Sequence, residues 1–301
     1  MQNTYNQAKP VLPESVGSLM PISSSLQSNE RRIAEGGERT FELDKSHAKE
    51  SLLLTVVTVV FNSDRYIEQT IQSVINQTYD GIEYIIIDGD STDGTLEIIK
   101  RYEHAIDYWV SESDKGIAHA MNKGIKASSG DYILFLHADD YFLNEQVVQT
   151  AVSYMDSKSD IAAFNIIFQK QDKEIECRPR GFNYWLNFKT GLYHQGVFCS
   201  RAVFKKLGGF DESYTIAMDY EFWLRAYRQG ITLKIFNYSI TYMRDTGISS
   251  KSDWPSMKKR FLEEKRAHYQ HAPNYIMRLI YKIYWTLYIP YRYFTQKTSI
   301  N

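Results

Sequence analysis

The pattern of hydrophobic and polar positions changes sharply at Ser51. Residues 1–50 are rich in Ser, Asn, Gln, Glu and Pro and show no sustained hydrophobic period, so we expect a disordered or loosely attached tail. Residues 52–61, LLLTVVTVVF, are instead a run of apolar and β-branched side chains. Such a run predicts a strand that is buried on both faces.

Strand-like and helix-like segments alternate from this point to about residue 236. The predicted strands cover residues 52–61, 83–87, 108–111, 131–136, 161–168, 196–200 and 232–236, and the predicted helices cover residues 65–77, 95–102, 117–127, 146–155 and 220–229. The charged stretch from Lys170 to Arg180 is expected to form an exposed hairpin or loop. This alternation indicates βαβ units and therefore an α/β fold with a mainly parallel sheet.

Polar residues follow three of the predicted strands at the point where each strand ends. They are Asn62, Asp88 and Asp139. In open parallel sheets, ligands bind beyond the carboxyl ends of the strands, so we expect a ligand site at this edge. The first strand is followed by FNSDR rather than by a GxGxxG turn, which excludes a Rossmann dehydrogenase.

Two of these strand ends carry carboxylates, and each allows two interpretations. Asp139 and Asp140 can hold Mg²⁺ or Mn²⁺, which prefer oxygen ligands and bridge phosphates. They can also simply cap a following helix. Asp88 lies in the loop DGDSTDGT, where it can accept hydrogen bonds from a nucleoside base or ribose, while Asp93 in the same loop suits a turn and helix cap.

Three further residues are candidates for binding or catalysis. Lys115 precedes the helix predicted over 117–127, where a lysine beside helix-terminal amides suits a diphosphate, although a solvated turn is the alternative. Asp219 stands at a helix start and is a candidate general base for an acceptor hydroxyl. His194 comes just before a predicted strand and can be either structural or catalytic.

In their order and spacing, these segments resemble the family 2 glycosyltransferases of the GT-A fold. The matching stretches, within about residues 52–250, are TVVTVVFNSDRYIEQTIQSVINQTY, IIIDGDSTDGT, SDKGIAHAMNKGI, GDYILFLHADD, HQGVF, LGGFDE and AMDYEFWLR. The resemblance implies a Rossmann-like α/β/α sandwich. It also implies inverting transfer of a sugar from a UDP-, GDP- or dTDP-sugar to a glycan or lipid-linked acceptor, in cell-surface polysaccharide or lipid-linked glycan synthesis.

The resemblance further implies roles for individual residues. Those of the nucleotide-sugar site would be Val59, Phe61, Asn62, Asp88, Lys115, Asp139 and His194. Asp219 would be the general base, and Asp139 would coordinate a divalent metal, Mn²⁺ or Mg²⁺. The family's metal motif is usually Asp-x-Asp, but its first position here is His137, which could ligate the metal or contact a phosphate. Met218 likewise stands where the family often has Glu.

Composition adds limits on partners and location. The formal net charge of −1 provides no global basic field, so we expect no nucleic-acid partner. Cys177 and Cys199 lack CxxC spacing, which argues against a disulfide framework or zinc site and favours a reducing, cytoplasmic setting. We expect neither a secretory signal nor a transmembrane helix, because the sequence shows no basic–apolar leader and no apolar run of 18 or more residues.

Residues 251–301 are expected to form a basic, aromatic and amphipathic extension to a catalytic domain over residues 51–250. Residues 275–294 interleave Ile, Leu, Tyr and Trp with Arg and Lys. Such a stretch can lie on the inner face of the cell membrane, with its rings at headgroup depth. It can also pack on the catalytic domain or on another subunit.

A second function stays open at this point. The chain could be a non-catalytic nucleotide-sugar-binding or scaffold protein derived from a transferase. His137 in the metal motif and the long tails favour that interpretation, which predicts donor binding without turnover.

Overall fold

The computed structural model describes residues 32–41, 51–155, 159–170, 172–247 and 250–298. Within these ranges the strands are β1 Arg32–Gly36, β2 Leu54–Val60, β3 Ile82–Asp88, β4 Tyr108–Glu112, β5 Tyr132–Phe135, β6 Tyr141–Phe142, β7 Ile161–Lys170, β8 Lys173–Cys177, β9 Val197–Ser200 and β10 Leu233–Met243. The α-helices there are α1 Ile67–Ile75, α2 Thr95–Arg101, α3 Ile117–Ala127, α4 Val147–Tyr154, α5 Arg201–Leu207, α6 Met218–Arg228, α7 Trp254–Gln270 and α8 Tyr275–Thr298.

The strands form one mixed sheet in the order β1-β4-β3-β2-β5-β9-β7-β10-β6, and β8 pairs with β7. Strands β4, β3, β2 and β5 run parallel, so their carboxyl ends lie at one edge of the sheet. β9 is antiparallel to both β5 and β7, while β7 and β10 are parallel again. The predicted α/β fold with a mainly parallel centre is confirmed, and the charged stretch near residue 175 is the predicted hairpin.

Alternate side chains of the central strands point to opposite faces of the sheet and build two cores. Helices cover both faces, which confirms the α/β/α sandwich. Each fully buried aliphatic side chain contributes about 1.5–3 kcal/mol relative to an exposed one. The core beside α3, α5 and α6 contains Val57, Ile85, Ile133, Met121, Phe204 and Trp223. The core beside α1, α2 and α4 contains Val56, Ile86, Leu134, Ile71, Ile99 and Val148.

Residues 32–41 belong to this fold, so the prediction of a disordered tail was wrong for them. β1 pairs antiparallel with β4 at the edge of the sheet. In the 3-10 turn that follows, the Arg39 guanidinium forms an ion pair with the buried Glu83 and donates to the Ala127 carbonyl at 3.0 Å. A buried carboxylate needs such a cation, and this tertiary pairing orders the segment. The remainder of the predicted tail, 1–31 and 42–50, lies outside the described residues.

Helices α7 and α8 pack against each other and against the α/β domain. They share a small core of Met257, Phe261, Met277, Tyr281 and Trp285. Ala267 of α7 belongs to the same core as Trp223 of α6. The predicted extension is therefore joined to the domain through a common core. Over the described ranges, no helix combines the length and apolar character needed to cross a bilayer.

Candidate active site

The end of β2 and the loop after it carry three of the predicted nucleotide-site residues, and the loop is tied to the loop after β3. Asn62 has a φ of 49°, in the left-handed region that Asn adopts more readily than most residues. Its Oδ1 accepts from the Thr92 amide at 2.8 Å, and its own amide donates to Ser91 Oγ at 2.8 Å. Phe61 is 62% exposed, whereas Val59 is buried in the strand. The loop thus presents an aromatic ring on a braced backbone, which suits stacking on a planar base.

Asp88 is fully buried at the end of β3 and organises the neighbouring loops. Its Oδ2 accepts from Ser111 Oγ at 2.6 Å and from the Ser91 amide at 3.1 Å, and its Oδ1 accepts from Ser91 Oγ at 2.5 Å. This predicted residue therefore lies fully buried at the carboxyl end of β3, beneath the loops that its hydrogen bonds hold.

Asp114 joins this group, although the sequence analysis did not select it. A Cβ on Gly89 would lie 2.5 Å from Asp114 Oδ2, so glycine is what allows the carboxylate to approach the end of β3. Asp114 Oδ1 accepts from the Gly116 amide at 2.7 Å, and burial raises the pKa of Asp114. Lys115 lies next to it on the exposed rim, with its amide donating to His119 Nδ1 at 3.3 Å.

The predicted metal motif forms the turn between β5 and β6. Asp139 accepts through its carboxylate from the Thr246 hydroxyl and through its carbonyl from the Arg244 guanidinium. Asp140 is buried, and burial together with the charge of Asp139 raises its pKa well above the usual value. β6 follows directly at Tyr141, so the alternative in which these carboxylates cap a helix was wrong.

Arg244 is a second residue that sequence analysis missed. Its guanidinium lies between the rings of Tyr66 and Tyr141, 4.8 Å from each centroid. Its amide donates to Asp140 Oδ1 at 3.2 Å. Cation–π contacts on both sides hold the arginine in place. It therefore fixes the conformation of the metal motif and puts a positive charge beside it.

His137, His194 and Asp219 form a row that starts at the metal motif. The rings of His137 and His194 are 4.5 Å apart between centroids, and His194 Nδ1 lies 3.8 Å from Asp219 Oδ2. Both Nε2 atoms are buried and lack a hydrogen-bond partner among the described residues. Burial and the charge of His194 lower the pKa of His137 well below its usual value, so its imidazole is neutral at pH 7. A neutral imidazole nitrogen without a partner can bind a metal ion or accept a hydrogen bond.

Asp219 lies in the first turn of α6 with its two carboxylate oxygens in different surroundings. Oδ1 accepts from the Tyr220 amide at 2.7 Å, while Oδ2 is the oxygen nearer to His194. The side chain is 25% exposed. A carboxylate that is held at one oxygen and remains partly exposed has the form that a general base requires.

The predicted residues thus fall into two groups at one edge of the sheet. One group lies after β2 and β3 and contains Phe61, Asn62 and Asp88; the other contains His137, Asp139, His194 and Asp219. Because β2 pairs in parallel with both β3 and β5, the loops that carry these groups leave the sheet side by side. Among the described residues, His, Cys, Asp and Glu form no cluster of three or more that could hold a metal by themselves.

Comparison with known proteins identifies relatives of this chain. The model of the family described as Glycosyl transferase family 2 matches residues 55–235. An uncharacterised glycosyltransferase of Mycobacterium tuberculosis is 36% identical over 178 residues, covering 58% of this chain and 68% of the relative. The Escherichia coli protein WfaP, named as a UDP-Glc:alpha-D-GlcNAc-diphosphoundecaprenol beta-1,3-glucosyltransferase, is 28% identical over 198 residues, covering 64% and 77%.

A solved structure with a similar fold is the mannosyltransferase PcManGT from Pyrobaculum calidifontis, in complex with GDP-Man and Mn²⁺. It superimposes with a TM-score of 0.59 at 17% sequence identity, covering 92% of this chain and 79% of that one. At this identity the likeness concerns the fold alone. The family match, in contrast, spans more than half of the 301 residues and includes every predicted site residue. The chain therefore belongs to glycosyl transferase family 2 and is a glycosyltransferase.

Proposed function

We propose that this enzyme transfers a sugar with inversion from a nucleotide-diphosphate sugar to an acceptor hydroxyl, with Asp219 as the general base and a divalent metal at Asp139. The observation that carries the proposal is the row of His137, His194 and Asp219. It connects the candidate base to the metal motif through two successive contacts, 3.8 Å from Asp219 Oδ2 to His194 Nδ1 and 4.5 Å between the centroids of the two histidine rings. A single displacement needs this proximity, because base and leaving diphosphate act on opposite sides of one anomeric carbon.

The proposed step breaks one bond and forms one. The acceptor oxygen attacks the anomeric carbon while the bond from that carbon to the diphosphate oxygen breaks, and the diphosphate keeps the electron pair. Asp219 Oδ2 takes the hydroxyl proton as the new bond forms. General-base catalysis of this kind contributes roughly 10²- to 10⁴-fold in rate.

The donor's nucleotide is proposed to bind at the ends of β2, β3 and β4. Phe61 would stack on the base, with Val59 and Asn62 shaping the wall. Asp88 would act mainly by orienting Ser91, because a direct contact between Asp88 and the base would require Ser91 to move. Lys115 on the rim would approach the diphosphate, and a UDP-, GDP- or dTDP-sugar remains the donor class.

The proposed site supplies part of the ligand set that Mn²⁺ or Mg²⁺ needs. Such ions are often held by one or two carboxylates together with substrate phosphates and water. Asp139 would supply the carboxylate, and the partnerless Nε2 of His137 is the second candidate. When bound, the ion would offset the charge that develops on the departing diphosphate. Arg244 would hold Asp139 in position for it.

We also propose that the outer face of α8 lies on a membrane surface that carries a lipid-linked acceptor. The outer face consists of apolar side chains that are each more than half exposed: Tyr275, Ile276, Leu279, Ile283, Leu287, Tyr291 and Phe294. The opposite side of the helix is buried in the core it shares with α7. Exposed Arg278 and Lys282 flank the outer face. An exposed apolar stripe beside cations is typical of helices that bind anionic membranes.

The membrane proposal can be tested with phosphatidylglycerol liposomes. The double variant Ile283→Glu, Leu287→Glu should lose sedimentation with the vesicles. Gln146→Glu, Gln149→Glu makes the same charge change at two exposed positions, the residue before α4 and one on α4, and should bind like the unmodified protein. Equal binding by all three proteins would reject the proposal.

A donor screen tests the catalytic proposal against the non-catalytic alternative. UDP-, GDP- and dTDP-sugars are first screened by thermal shift, and release of the nucleoside diphosphate from the best donor is then measured with Mn²⁺ and with Mg²⁺. We expect one donor to stabilise the protein and to be turned over. A donor that binds but is never consumed, with water or with any acceptor extract, would establish the nucleotide-sugar-binding protein instead.

A further inference from the structure

The start of α6 depends on a carboxylate from a distant helix. Ala217 precedes α6 and has no side-chain acceptor for the amides at the helix start. The amides of Thr215, Ile216 and Ala217 all donate to Glu263 of α7, at 3.1, 2.8 and 2.9 Å. The Thr215 hydroxyl adds a fourth bond at 2.7 Å. The side chain of Glu263, 46 residues after Ala217, thus accepts hydrogen bonds from three successive amides directly before α6.

The environment of Glu263 keeps it charged. The residue is buried, and burial alone would raise its pKa; the bonds from Thr215 and the three amides nevertheless lower the pKa below the usual value. The carboxylate is therefore ionised at neutral pH, and its hydrogen bonds are charge-assisted and strong. It also lies at the N-terminal end of α6, where the helix dipole favours a negative charge.

Helix α7 is itself fixed to α6 beyond Glu263. His268 Nδ1 accepts from Trp285 Nε1 of α8 at 2.9 Å, and its Nε2 lies 2.5 Å from the Tyr220 hydroxyl. Burial lowers the pKa of His268 to about 3, so the ring is neutral and its one proton lies on Nε2. The Tyr220 hydroxyl accepts that proton in a hydrogen bond and donates its own to the Leu186 carbonyl at 2.7 Å. This chain of bonds prevents α7 from sliding along α6.

We propose that Glu263 is a positioning residue for Asp219. This inference rests on the proposed role of Asp219 as the base. Asp219 is two residues after Ala217, so the place where α6 begins sets the distance of Asp219 Oδ2 from His194. Glu263 fixes that place from outside residues 55–235, the part that matches the family. Helix α7, which carries Glu263, therefore completes the proposed active site without touching the substrate.

The variant Glu263→Gln tests this role, because the amide keeps the size of the side chain but loses the charge and turns an NH₂ group towards backbone donors. We expect kcat for release of the nucleoside diphosphate to fall about 10- to 100-fold, the size of effect that a misplacement of about 1 Å produces. Donor affinity, measured by calorimetry, should stay within about twofold, since the donor loops belong to β2 and β3. Thr215→Val removes the hydroxyl bond from the other side and should give a smaller loss of kcat.

Two comparisons separate positioning from a general structural role. Glu97→Gln makes the same chemical change at an exposed position of α2 and should leave kcat unchanged. In the Asp219→Asn background, adding Glu263→Gln should change the residual rate by less than about twofold, because the residue acts through Asp219. A full additional loss in that background, an equal loss of donor affinity, or full activity of Glu263→Gln would overturn the proposal. Full activity of Asp219→Asn would instead overturn the proposed base.

Discussion

The donor side and the acceptor side of this site are built in different ways. On the donor side, the loops after β2 and β3 hold each other through short polar side chains such as Asn62, Ser91 and Thr92, all within about thirty residues of one another. On the proposed acceptor side, Asp219 Oδ2 lies 3.8 Å from His194 Nδ1, and the helix that carries Asp219 begins where Glu263 of α7 accepts from three successive amides. The donor side is therefore a local structure, and the acceptor side is a tertiary one.

This difference indicates which parts of the sequence can change without altering the shape of the site. Loops that are stabilised by their own residues keep their shape when distant segments change. Helix α6 depends on packing with α7 and α8, so we expect changes in α7 and α8 to reach the proposed base, Asp219. Three changes on the proposed acceptor side test this contrast, and the first two are each compared with a matched change on the donor side.

The largest effect is expected at Glu221, which is buried in α6 and binds Arg225 Nε at 3.0 Å and His271 Nε2 at 2.8 Å. Glu221→Ala leaves the Arg225 charge without its partner, and breaking a buried pair costs about 3–5 kcal/mol. Urea unfolding measures the loss. Arg101→Gln removes the exposed ion pair with Glu68 on the donor side and should cost under about 1 kcal/mol. Equal losses would contradict the contrast.

A smaller effect is expected at Gly209, where α3 meets the loop between α5 and α6. A Cβ there would lie 2.2 Å from Asn122 Oδ1, which accepts from the Phe210 amide at 2.8 Å. Gly209→Ala must displace Asn122 and should cost about 1–3 kcal/mol. Gly94→Ala on the donor side serves as the control in the same unfolding assay, because a Cβ on Gly94 would lie 3.5 Å from its nearest neighbouring atom. A Gly209→Ala protein as stable as the control would show that this contact is not tight.

The smallest effect is a pH dependence from Glu264. Burial raises its pKa, Arg260 opposes the rise and the charge of Asp219 adds to it, and the resulting pKa is about 7. A raised pKa stabilises the folded protein fully below the ordinary value of 4.5, and this contribution is lost as the pH rises through 7. Glu264→Gln stays uncharged, so its melting temperature relative to the unmodified protein should be higher at pH 8 than at pH 5. A difference that does not vary with pH would contradict this environment.

Local parts of the fold could be predicted from the sequence because their signals are local. The helix predicted over 117–127 coincides with α3, since Gly116 and Ser128 bound its amphipathic period. β1 escaped prediction because it is a half-exposed edge strand, and the ion pair of Arg39 with Glu83 that anchors the next turn joins distant segments.

The site shows the same division. Asn62, Asp88 and Asp139 could be selected because each lies at, or a few residues beyond, the end of a buried strand. Arg244 could not, because a single arginine after a strand has no distinguishing pattern, and its importance comes from the rings on either side. The role of Glu263 depends on amides almost fifty residues away, which no spacing rule connects.

The most direct test of the central claim compares Asp219→Asn with Asp139→Asn in donor binding and in turnover. We predict that Asp219→Asn lowers the rate of nucleoside-diphosphate release by about 10²- to 10⁴-fold while donor affinity in the presence of Mn²⁺ stays within about twofold. Asp139→Asn should weaken metal-dependent donor binding itself. Full turnover by Asp219→Asn, or unchanged Mn²⁺-dependent donor binding by Asp139→Asn, would contradict the assignment of base and metal residue respectively.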